Sequence, residues 1–302
     1  MIEQKTISPK AWAGLFALGT IWGLSFVSVR IALDEIGPLT SVAHRTGWAM
    51  LALWLVVLAM RLPLPRSPRI WGAFLVMGLL NNVIPFSLMA WGQLYIESGL
   101  TSILNAATAI FGVLVAALVF ADERLTLRKG VGVTIGFCGV ATAIGLENLH
   151  DFDLRSLAQL AVIAGTLSYA LAGSWARKTL TGLPPQVAAA GMLTGASLVT
   201  LPLAHFVEGP MTLALQPGTL IAIGYYALIA TAGAYLLYYQ VLAQAGSGNL
   251  MLVTLLVAPV AIVAGALILG EALAANAYAG FALLALGLII LDGRVWRALR
   301  AD

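Results

Sequence analysis

The sequence predicts an all-α polytopic membrane protein: ten transmembrane helices, arranged as two inverted five-helix repeats around a central cavity. Three observations predict this fold, namely the composition, the length of the apolar blocks and a repetition between the two halves. Of the 302 residues, 61% are hydrophobic and 10% are charged, whereas soluble domains carry about 25% charged residues. So few charges cannot cover a water-soluble globule, so a soluble protein is excluded.

The apolar residues form blocks of roughly 20, the length that crosses about 30 Å of hydrocarbon as a helix. Short polar breaks separate the blocks. The predicted spans are residues 11–33, 38–60, 70–95, 98–120, 128–146, 156–176, 185–206, 218–242, 247–270 and 274–292. The longest connections, 147–155 and 207–217, are too short for a soluble catalytic or nucleotide-binding domain.

The basic residues predict the orientation, because lysine and arginine avoid translocated loops. With the N-terminus inside, thirteen of the sixteen bases lie on the cytoplasmic side, and only Arg155 lies in an outside loop. Eight acidic residues lie in the outside loops: Asp34, Glu35, Glu97, Glu147, Asp151, Asp153, Glu208 and Glu271. We therefore expect a multi-pass protein of the cell (inner) membrane with both termini cytoplasmic.

The two halves repeat at a nearly constant offset. Adding 148 to Glu123, Leu125, Gly132, Gly139 and Gly145 gives Glu271, Leu273, Gly280, Gly287 and Gly293. Earlier in the halves the offset is 147, which pairs Trp22 with Tyr169, Arg30 with Arg177 and Pro38 with Pro185. Because each half holds an odd number of spans, the second half is inverted relative to the first.

This repetition divides the chain. We expect a cytoplasmic segment at 1–10, a first five-helix repeat at 11–146 and an outside linker at 147–155. The second, inverted repeat follows at 156–292, and a basic cytoplasmic tail ends the chain at 293–302. Inverted repeats of this kind place a binding site near the membrane midplane, between the halves.

Three stretches carry a family resemblance. WGLSFVSVRIAL (22–33) is followed by Pro38 and Arg45, and then by FADERLTLRKGVG (120–132). The second half repeats the pattern as APVAIVAGALILGEALAANAYAG (258–280). Over about residues 11–292 the chain resembles the EamA-type branch of the drug/metabolite transporter superfamily, and it is most similar to YddG-type amino-acid exporters. The resemblance implies ten helices around a cavity and export of small metabolites by secondary transport; substrates vary widely within the family.

Depth within a span selects candidate binding residues, because buried polar groups normally face protein or water. Trp22 lies roughly 16 Å into the first span, and its repeat mate Tyr169 lies roughly 20 Å into the sixth. The pair either lines the cavity or packs between helices. Trp12, Trp71, Trp91 and Trp175 occur at span ends, where anchoring at the membrane interface is the expected role.

Asn81 and Asn82 lie deep in the third span, one turn before Pro85. A proline inside a helix leaves a backbone carbonyl without its donor, so the carbonyl needs a polar neighbour. We expect a bent, hydrated helix that faces the cavity. Pro259 is a second candidate bend, in the ninth span, where Asn249 and Thr254 are weaker polar candidates.

Two helices carry polar stripes. In the fourth span Thr101, Asn105, Thr108 and Gly112 fall on one face, pointing either inward or into hydrogen bonds between helices. Tyr225, Ala232, Tyr235 and Tyr239 lie close to one face of the eighth span, where Tyr225 and Tyr235 are candidates for a wide amphipathic site. Helix packing and interfacial anchoring are the alternatives, especially for Tyr239.

His44 and Arg45 form a titratable pair inside the second span. Arg45 is expected either to bind a substrate carboxylate or gate the outer side, or to pair with Asp34 or Glu35. The small-residue motifs Gly132–Gly136 and Gly191–Gly195 favour close helix packing.

Together these features predict a secondary transporter that exports small amphipathic metabolites, above all amino acids, by alternating access. The alternatives are a multidrug or cationic-compound exporter, a passive channel and an intramembrane lipid-modifying enzyme. No deep carboxylate cluster supports an enzyme, and no cofactor, metal site, nucleic-acid partner or ATPase subunit is expected. The expected partners are a small-molecule substrate and membrane lipids.

Overall fold

A computed structural model describes residues 8–123, 125–145, 153–245 and 253–292. These residues form ten apolar helices, of which nine are at least 18 residues long. They are α1 (Pro9–Ala32), α2 (Pro38–Ala59), α3 (Pro68–Gly92), α4 (Ser98–Val119), α5 (Leu127–Ile144), α6 (Leu154–Thr179), α7 (Pro185–Glu208), α8 (Pro217–Gln244), α9 (Val253–Leu269) and α10 (Ala275–Asp292). The shorter helix α9 begins directly after residues outside the description. The polytopic helical fold is confirmed.

Several helices begin with recognisable local signals. Proline occupies the first turn of α1, α2, α3, α7 and α8, where its missing N–H has no helical partner to lose. The hydroxyl of Ser8 accepts a hydrogen bond from the backbone N–H of Ala11, and Thr126 caps α5 in the same way. The described helices begin within two residues of their predicted starts. Helix α9 is the exception, because its first described residue directly follows residues outside the description.

Helices five positions apart in the chain have equivalent neighbours. Helix α1 packs against α8 and α9 of the second half, and its counterpart α6 packs against α3 and α4 of the first. Helices α2 and α7 pack together across the repeats, as do α5 and α10. This pairing is that of a two-repeat architecture, and five crossings per repeat make equivalent helices run in opposite directions.

Glycines allow the closest approach, between α5 and α10. A Cβ atom added to Gly139 would lie 2.5 Å from the backbone nitrogen of Leu284, and one on Gly132 would lie 2.9 Å from the carbonyl oxygen of Gly287. Both distances are below van der Waals contact, so only glycine fits there. Four of the repeated glycines, Gly132, Gly139, Gly280 and Gly287, therefore lie at a helix contact.

Three helices contain π-helical segments, in which the N–H bonds a carbonyl five residues earlier. They cover Leu79–Val83 in α3, Tyr225–Gly233 in α8 and Gly265–Leu269 in α9. Adding the repeat offset of 147 to 79–83 gives 226–230, so the first two segments occupy equivalent positions in the two repeats. Helix α4 is also interrupted, between Asn105 and Thr108.

Some sequence predictions fall outside the described residues. They are the basic tail at 293–302, most of the segment at 1–10, most of the linker at 147–155, and Asn249.

Candidate functional site

Side chains from five helices meet midway along the bundle. We call the following ten residues the central cluster: Trp22 of α1, Arg45 of α2, Asn81, Asn82 and Phe86 of α3, Tyr169 of α6, and Tyr226, Thr231, Tyr235 and Tyr238 of α8. Six of them are sequence-predicted site residues. Both repeats contribute to the cluster, as expected for a site between inverted repeats.

Arg45 holds the positive charge of the central cluster. Its Nε donates a hydrogen bond to the hydroxyl of Thr231 at 2.9 Å, and its guanidinium carbon lies 4.0 Å from the ring centre of Phe86. The guanidinium carbon also lies 6.0 Å from the ring centre of Tyr226. A cation over an aromatic face is stabilised by the ring quadrupole, so the aromatic side chains hold the guanidinium in place.

The alternative pairing of Arg45 with Asp34 or Glu35 is not formed. Asp34 pairs with Arg30 at 2.6 Å, and Glu35 accepts from the backbone N–H of Gln216 at 3.0 Å. Among the described residues no carboxylate lies within ion-pair distance of Arg45. The cluster thus holds a partly buried cation with no acidic partner in the described part of the chain, and an anion would stabilise it.

Two asparagines converge on one tyrosine. The amide nitrogens of Asn81 and Asn82 donate hydrogen bonds to the hydroxyl oxygen of Tyr235 at 3.1 and 3.2 Å. Asn81 also contacts the sulfur of Met192 at 3.4 Å, and Asn82 is fully buried. The π-helical register of α3 presents both neighbouring amides to the same partner.

Trp22 and Tyr169, the mates predicted from the repeat, both belong to the central cluster. The indole nitrogen of Trp22 donates to the carbonyl oxygen of Ala230 at 3.1 Å, within the π-segment of α8. Its ring centre lies 6.0 Å from that of Tyr238. Tyr169 packs edge-on against Phe86, with 6.4 Å between ring centres. Both side chains are partly accessible, although they lie in the middle of their helices.

Pro85 leaves one backbone carbonyl of α3 without a helical donor. In the π-register its missing N–H would bond the carbonyl of Leu80, five residues earlier. The hydroxyl of Ser168 donates to that carbonyl oxygen at 2.7 Å instead. The unpaired carbonyl is therefore satisfied by α6, while Asn81 and Asn82 remain available to Tyr235.

Other predicted site residues lie apart from the central cluster. Thr101 is fully buried and donates to the carbonyl of Glu97 in its own helix at 3.0 Å. Asn105 ends the first segment of α4, where the interruption of the helix divides the predicted polar stripe. Tyr225 donates to the carbonyl oxygen of Ile21 at 3.1 Å, which joins α8 to α1. Pro259 lies inside α9 with an exposed side chain.

His44 faces away from Arg45. Its Nδ1 accepts a hydrogen bond from the indole nitrogen of Trp48 at 3.2 Å. It lines a separate apolar groove of about 260 Å³ between α2, α7 and residues 211–213. Consecutive helical residues point about 100° apart, so only one of the two joins the cluster.

Sequence reasoning missed four cluster members: Phe86, Tyr226, Thr231 and Tyr238. Phe86 and Tyr226 are each adjacent to a residue that was singled out, Pro85 and Tyr225. Tyr238 follows Tyr235 by three residues, a spacing that shares a helix face. Thr231 carried no signal, because its role depends on the π-segment of α8.

The end of the bundle that carries residues 33–37, 93–97, 209–216 and 270–274 is held by carboxylates; we call it the glutamate end. Glu208 accepts from the backbone N–H groups of Leu39 and Thr40 at 3.0 and 2.8 Å, where α2 begins. Glu35 accepts from the backbone N–H of Gln216, where α8 begins, and Glu271 accepts from the backbone N–H of Ser98, where α4 begins. A carboxylate at a helix N-terminus satisfies free N–H groups and interacts favourably with the helix dipole. Each of these three contacts joins one repeat to the other.

The opposite end carries residues 60–67, 120–126 and 180–184; we call it the basic end. Arg177 of α6 binds Asp122 at 2.5 Å and lies 3.6 Å from Glu123, which also pairs with Lys129 at 3.1 Å. The hydrogen bond from Arg177 lowers the pKa of the Asp122 carboxyl below its ordinary value. These ion pairs are exposed and contribute little stability.

A bundle of apolar helices in two equivalent repeats, with a polar and aromatic cluster at its centre, defines a polytopic membrane transporter. The chain belongs to the EamA-like transporter family, whose model matches residues 10–145 and again residues 156–291. The two matches correspond to the two halves of the helical bundle.

Relatives of known name extend over almost the whole chain. A probable amino-acid metabolite efflux pump of Escherichia coli (strain K12) is 23% identical over 286 residues, 92% of this chain and 93% of the relative. A probable terminal-alkyne amino-acid exporter of Streptantibioticus cattleyicolor is 26% identical over 290 residues, 95% of each chain. A crystal structure with 15% identity covers 93% of this chain and 96% of its own with a TM-score of 0.64, which supports the fold alone.

Proposed function

We propose that the protein is a secondary transporter that exports small amphipathic metabolites, above all amino acids including aromatic ones, by alternating access. The observation that carries this proposal is Arg45, a cation at the centre of the bundle without an acidic partner in the described residues. A substrate carboxylate would neutralise it. The names of relatives that are amino-acid exporters support the same substrate class.

The aromatic members of the central cluster suit the other end of such a substrate. Trp22, Phe86, Tyr169 and Tyr238 offer ring faces and edges that pack against apolar or aromatic side chains. Tyrosine and tryptophan also carry polar atoms, so the same surface accommodates amphipathic solutes. Arg45 at one side and rings around it therefore match an amino acid better than a purely apolar compound.

In the proposed transport cycle the central site is closed alternately towards one side of the membrane and towards the other. The equivalent π-segments of α3 and α8 lie beside the cluster, one in each repeat. Broken helices at the midplane of inverted repeats are typical of secondary transporters. We assign the glutamate end to the outside and the basic end to the cytoplasm, in accordance with the positive-inside rule. Substrate would then leave through the glutamate end.

The rival within the same fold is an exporter of cationic compounds. The positive charge of Arg45 argues against it, because a cationic substrate would be repelled at the centre of the site. A passive channel and an intramembrane lipid-modifying enzyme remain as outcomes of the test.

Counterflow in proteoliposomes tests the proposal. Purified protein is reconstituted alone, the vesicles are preloaded with one amino acid, and uptake of labelled amino acids is compared with uptake of cationic dyes. We expect saturable uptake of amino acids without ATP. Linear flux at all concentrations would indicate a channel, uptake of cationic dyes only would indicate a multidrug exporter, and turnover of added lipid would indicate an enzyme.

A further inference from the structure

We propose that Thr231 is a positioning residue for substrate recognition: its hydroxyl group holds the guanidinium of Arg45 in the orientation that binds the substrate carboxylate. This inference rests on the proposed function and deepens it. It assigns the selectivity for a carboxylate to a pair of side chains, one from each repeat, and not to Arg45 alone.

Two hydrogen bonds fix the direction of the Thr231 hydroxyl. The hydroxyl donates to the backbone carbonyl oxygen of Tyr226 at 2.8 Å, and its oxygen accepts from the Nε of Arg45 at 2.9 Å. A hydroxyl has one proton, so the bond to Tyr226 uses that proton and leaves the lone pairs for Arg45. Thr231 is only 1% exposed, so bulk water does not compete for these bonds. The hydroxyl is therefore a fixed acceptor for the guanidinium.

This acceptor belongs to the π-helical part of α8. In a regular α-helix a threonine hydroxyl bonds the carbonyl three or four residues earlier. The hydroxyl of Thr231 bonds the carbonyl five residues earlier, and both residues lie in the segment Tyr225–Gly233. Arg45 of the first repeat is thus anchored, through one hydroxyl, to the backbone of the π-segment in the second repeat.

Phe86 supports the guanidinium at a second point. The guanidinium carbon lies 4.0 Å from the ring centre of Phe86, within the distance of a cation–π contact. Because the guanidinium is rigid and planar, contacts at its Nε and over one ring define its orientation. Its terminal N–H groups have no hydrogen-bond partner among the described residues. These groups are the ones that would bind a carboxylate.

An oriented guanidinium binds a carboxylate better than a mobile one. A side chain that is already ordered loses little conformational freedom when the ligand binds. In addition, two parallel N–H bonds to the two carboxylate oxygens form only when the guanidinium plane faces the ligand. Loss of the Thr231 hydroxyl should therefore weaken binding of carboxylates, and it should leave binding of a ligand without a carboxylate unchanged.

Thr231→Val is the test, because valine keeps the branched shape and replaces the hydroxyl by a methyl group. The probes are L-phenylalanine and L-phenylalaninol, in which an alcohol replaces the carboxylate. Counterflow gives the half-saturating concentration of the acid, and competition gives the inhibition constant of the alcohol. We expect Thr231→Val to raise the first about fivefold, the effect of one additional side chain to be ordered on binding. The maximal rate and the inhibition by the alcohol should not change.

Two further variants separate positioning from a general structural role. Thr231→Ser keeps the hydroxyl and should keep the affinity for the acid. Thr194→Val is the matched control, because the hydroxyl of Thr194 donates to the carbonyl of Ala190 at 2.9 Å and accepts from the indole nitrogen of Trp54 at 2.8 Å. It thus makes the same two kinds of bond between a helix of the second repeat and α2, outside the central cluster. Thr194→Val should keep the wild-type ratio of acid to alcohol affinity.

A double-mutant cycle with Arg45→Met gives an independent measurement. Without a guanidinium to orient, Thr231→Val should cause no further loss of affinity for the acid. Additive losses, or a wild-type ratio of acid to alcohol affinity in Thr231→Val, would overturn this inference and leave the proposed function intact. If Thr231→Val is not inserted, Thr231→Ala provides the same comparison. Failure of the wild-type protein to take up any amino acid would instead overturn the proposed function.

Discussion

The carboxylate of Glu271 binds the beginning of α4 through Ser98. One carboxylate oxygen accepts from the backbone N–H of Ser98 at 2.9 Å, and the other accepts from the Ser98 hydroxyl at 2.8 Å. The second oxygen also lies 3.3 Å from the backbone nitrogen of Gly99. The contact connects residues 173 positions apart, so one side chain of the second repeat fixes a helix terminus of the first.

Glu271→Ala should destabilise the protein measurably. The substitution leaves two backbone N–H groups and one hydroxyl without their acceptor, and a lost partner of this kind costs about 1–3 kcal/mol. We expect a lower midpoint of thermal unfolding in detergent. Asp34→Ala is the matched control, since it removes an exposed carboxylate that pairs with Arg30 within one helix turn and should leave the midpoint nearly unchanged. Equal midpoints for the two variants would contradict this role of Glu271.

Arg45→Gln should impair amino-acid transport while preserving the fold. The change removes the central cation, so we expect at least a tenfold higher half-saturating concentration for amino acids, consistent with the loss of a charged hydrogen-bond donor. Arg45→Lys should retain part of the affinity, because it keeps the charge and loses the flat contact with Phe86. The measurement is counterflow at matched membrane levels. Arg30→Gln, at a partly exposed position near the end of α1, serves as the control, and equal defects in Arg30→Gln and Arg45→Gln would disprove the assignment.

Trp22→Ala and Tyr169→Ala should reduce transport more than the loss of a tryptophan at a helix end. Truncation removes ring contacts worth on the order of 1 kcal/mol, a severalfold change in apparent affinity. Trp12→Ala is the control, since Trp12 is exposed and contacts Phe16 near the start of α1. Trp175 is unsuitable as a control because its indole donates to the carbonyl of Ala73 and holds α6 to α3. Normal kinetics for both Trp22→Ala and Tyr169→Ala would place the site elsewhere.

Ser168→Ala and Pro85→Ala should compensate for one another. The first change leaves the carbonyl of Leu80 without a donor and should lower the unfolding midpoint, at a cost of about 1–3 kcal/mol. The second supplies a backbone N–H in the π-register, which can reach the same carbonyl. In the double variant we expect most of the lost stability to return. Additive effects in this double-mutant cycle would show that the serine and the proline do not share that carbonyl.

The orientation is tested by labelling from either side of the membrane. In a Cys138→Ala background, Ser67→Cys at the basic end should react only from the cytoplasm. Leu213→Cys at the glutamate end should react only from outside, because its position is exposed and lies between α7 and α8. The reagent is a membrane-impermeant maleimide applied to intact cells and to inverted vesicles. Labelling of both positions from the same side would refute the topology.

The helices were predictable because the membrane imposes a simple length and composition on each of them. The predicted span 38–60 is observed as Pro38–Ala59, and 98–120 as Ser98–Val119. The proximity of Trp22 and Tyr169 to one cluster also followed from counting, because mates in inverted repeats reach the same depth.

The details of the site were less predictable because they depend on backbone hydrogen-bond register. The π-segment at Tyr225–Gly233 changes the rotation along α8, so Tyr225 reaches α1 while Tyr235 reaches α3. The periodicity of a regular α-helix had predicted that both tyrosines lie close to one face. No residue pattern in the sequence predicts a π-helical turn, and none predicts the interruption of α4 after Asn105.

The pairing of α1 with α9 has a consequence for biosynthesis. A Cβ atom on Gly23 of α1 would lie 2.6 Å from the Cβ of Val260, so the two helices touch with almost no gap. Roughly 220 residues separate the end of α1 from the start of α9, which ribosomes take roughly 10–45 s to synthesise. Throughout that interval the glycine face of α1 lacks its partner α9. A defect at Gly23 would thus appear only after α9 has been synthesised, as a fault in helix packing and not in the insertion of α1.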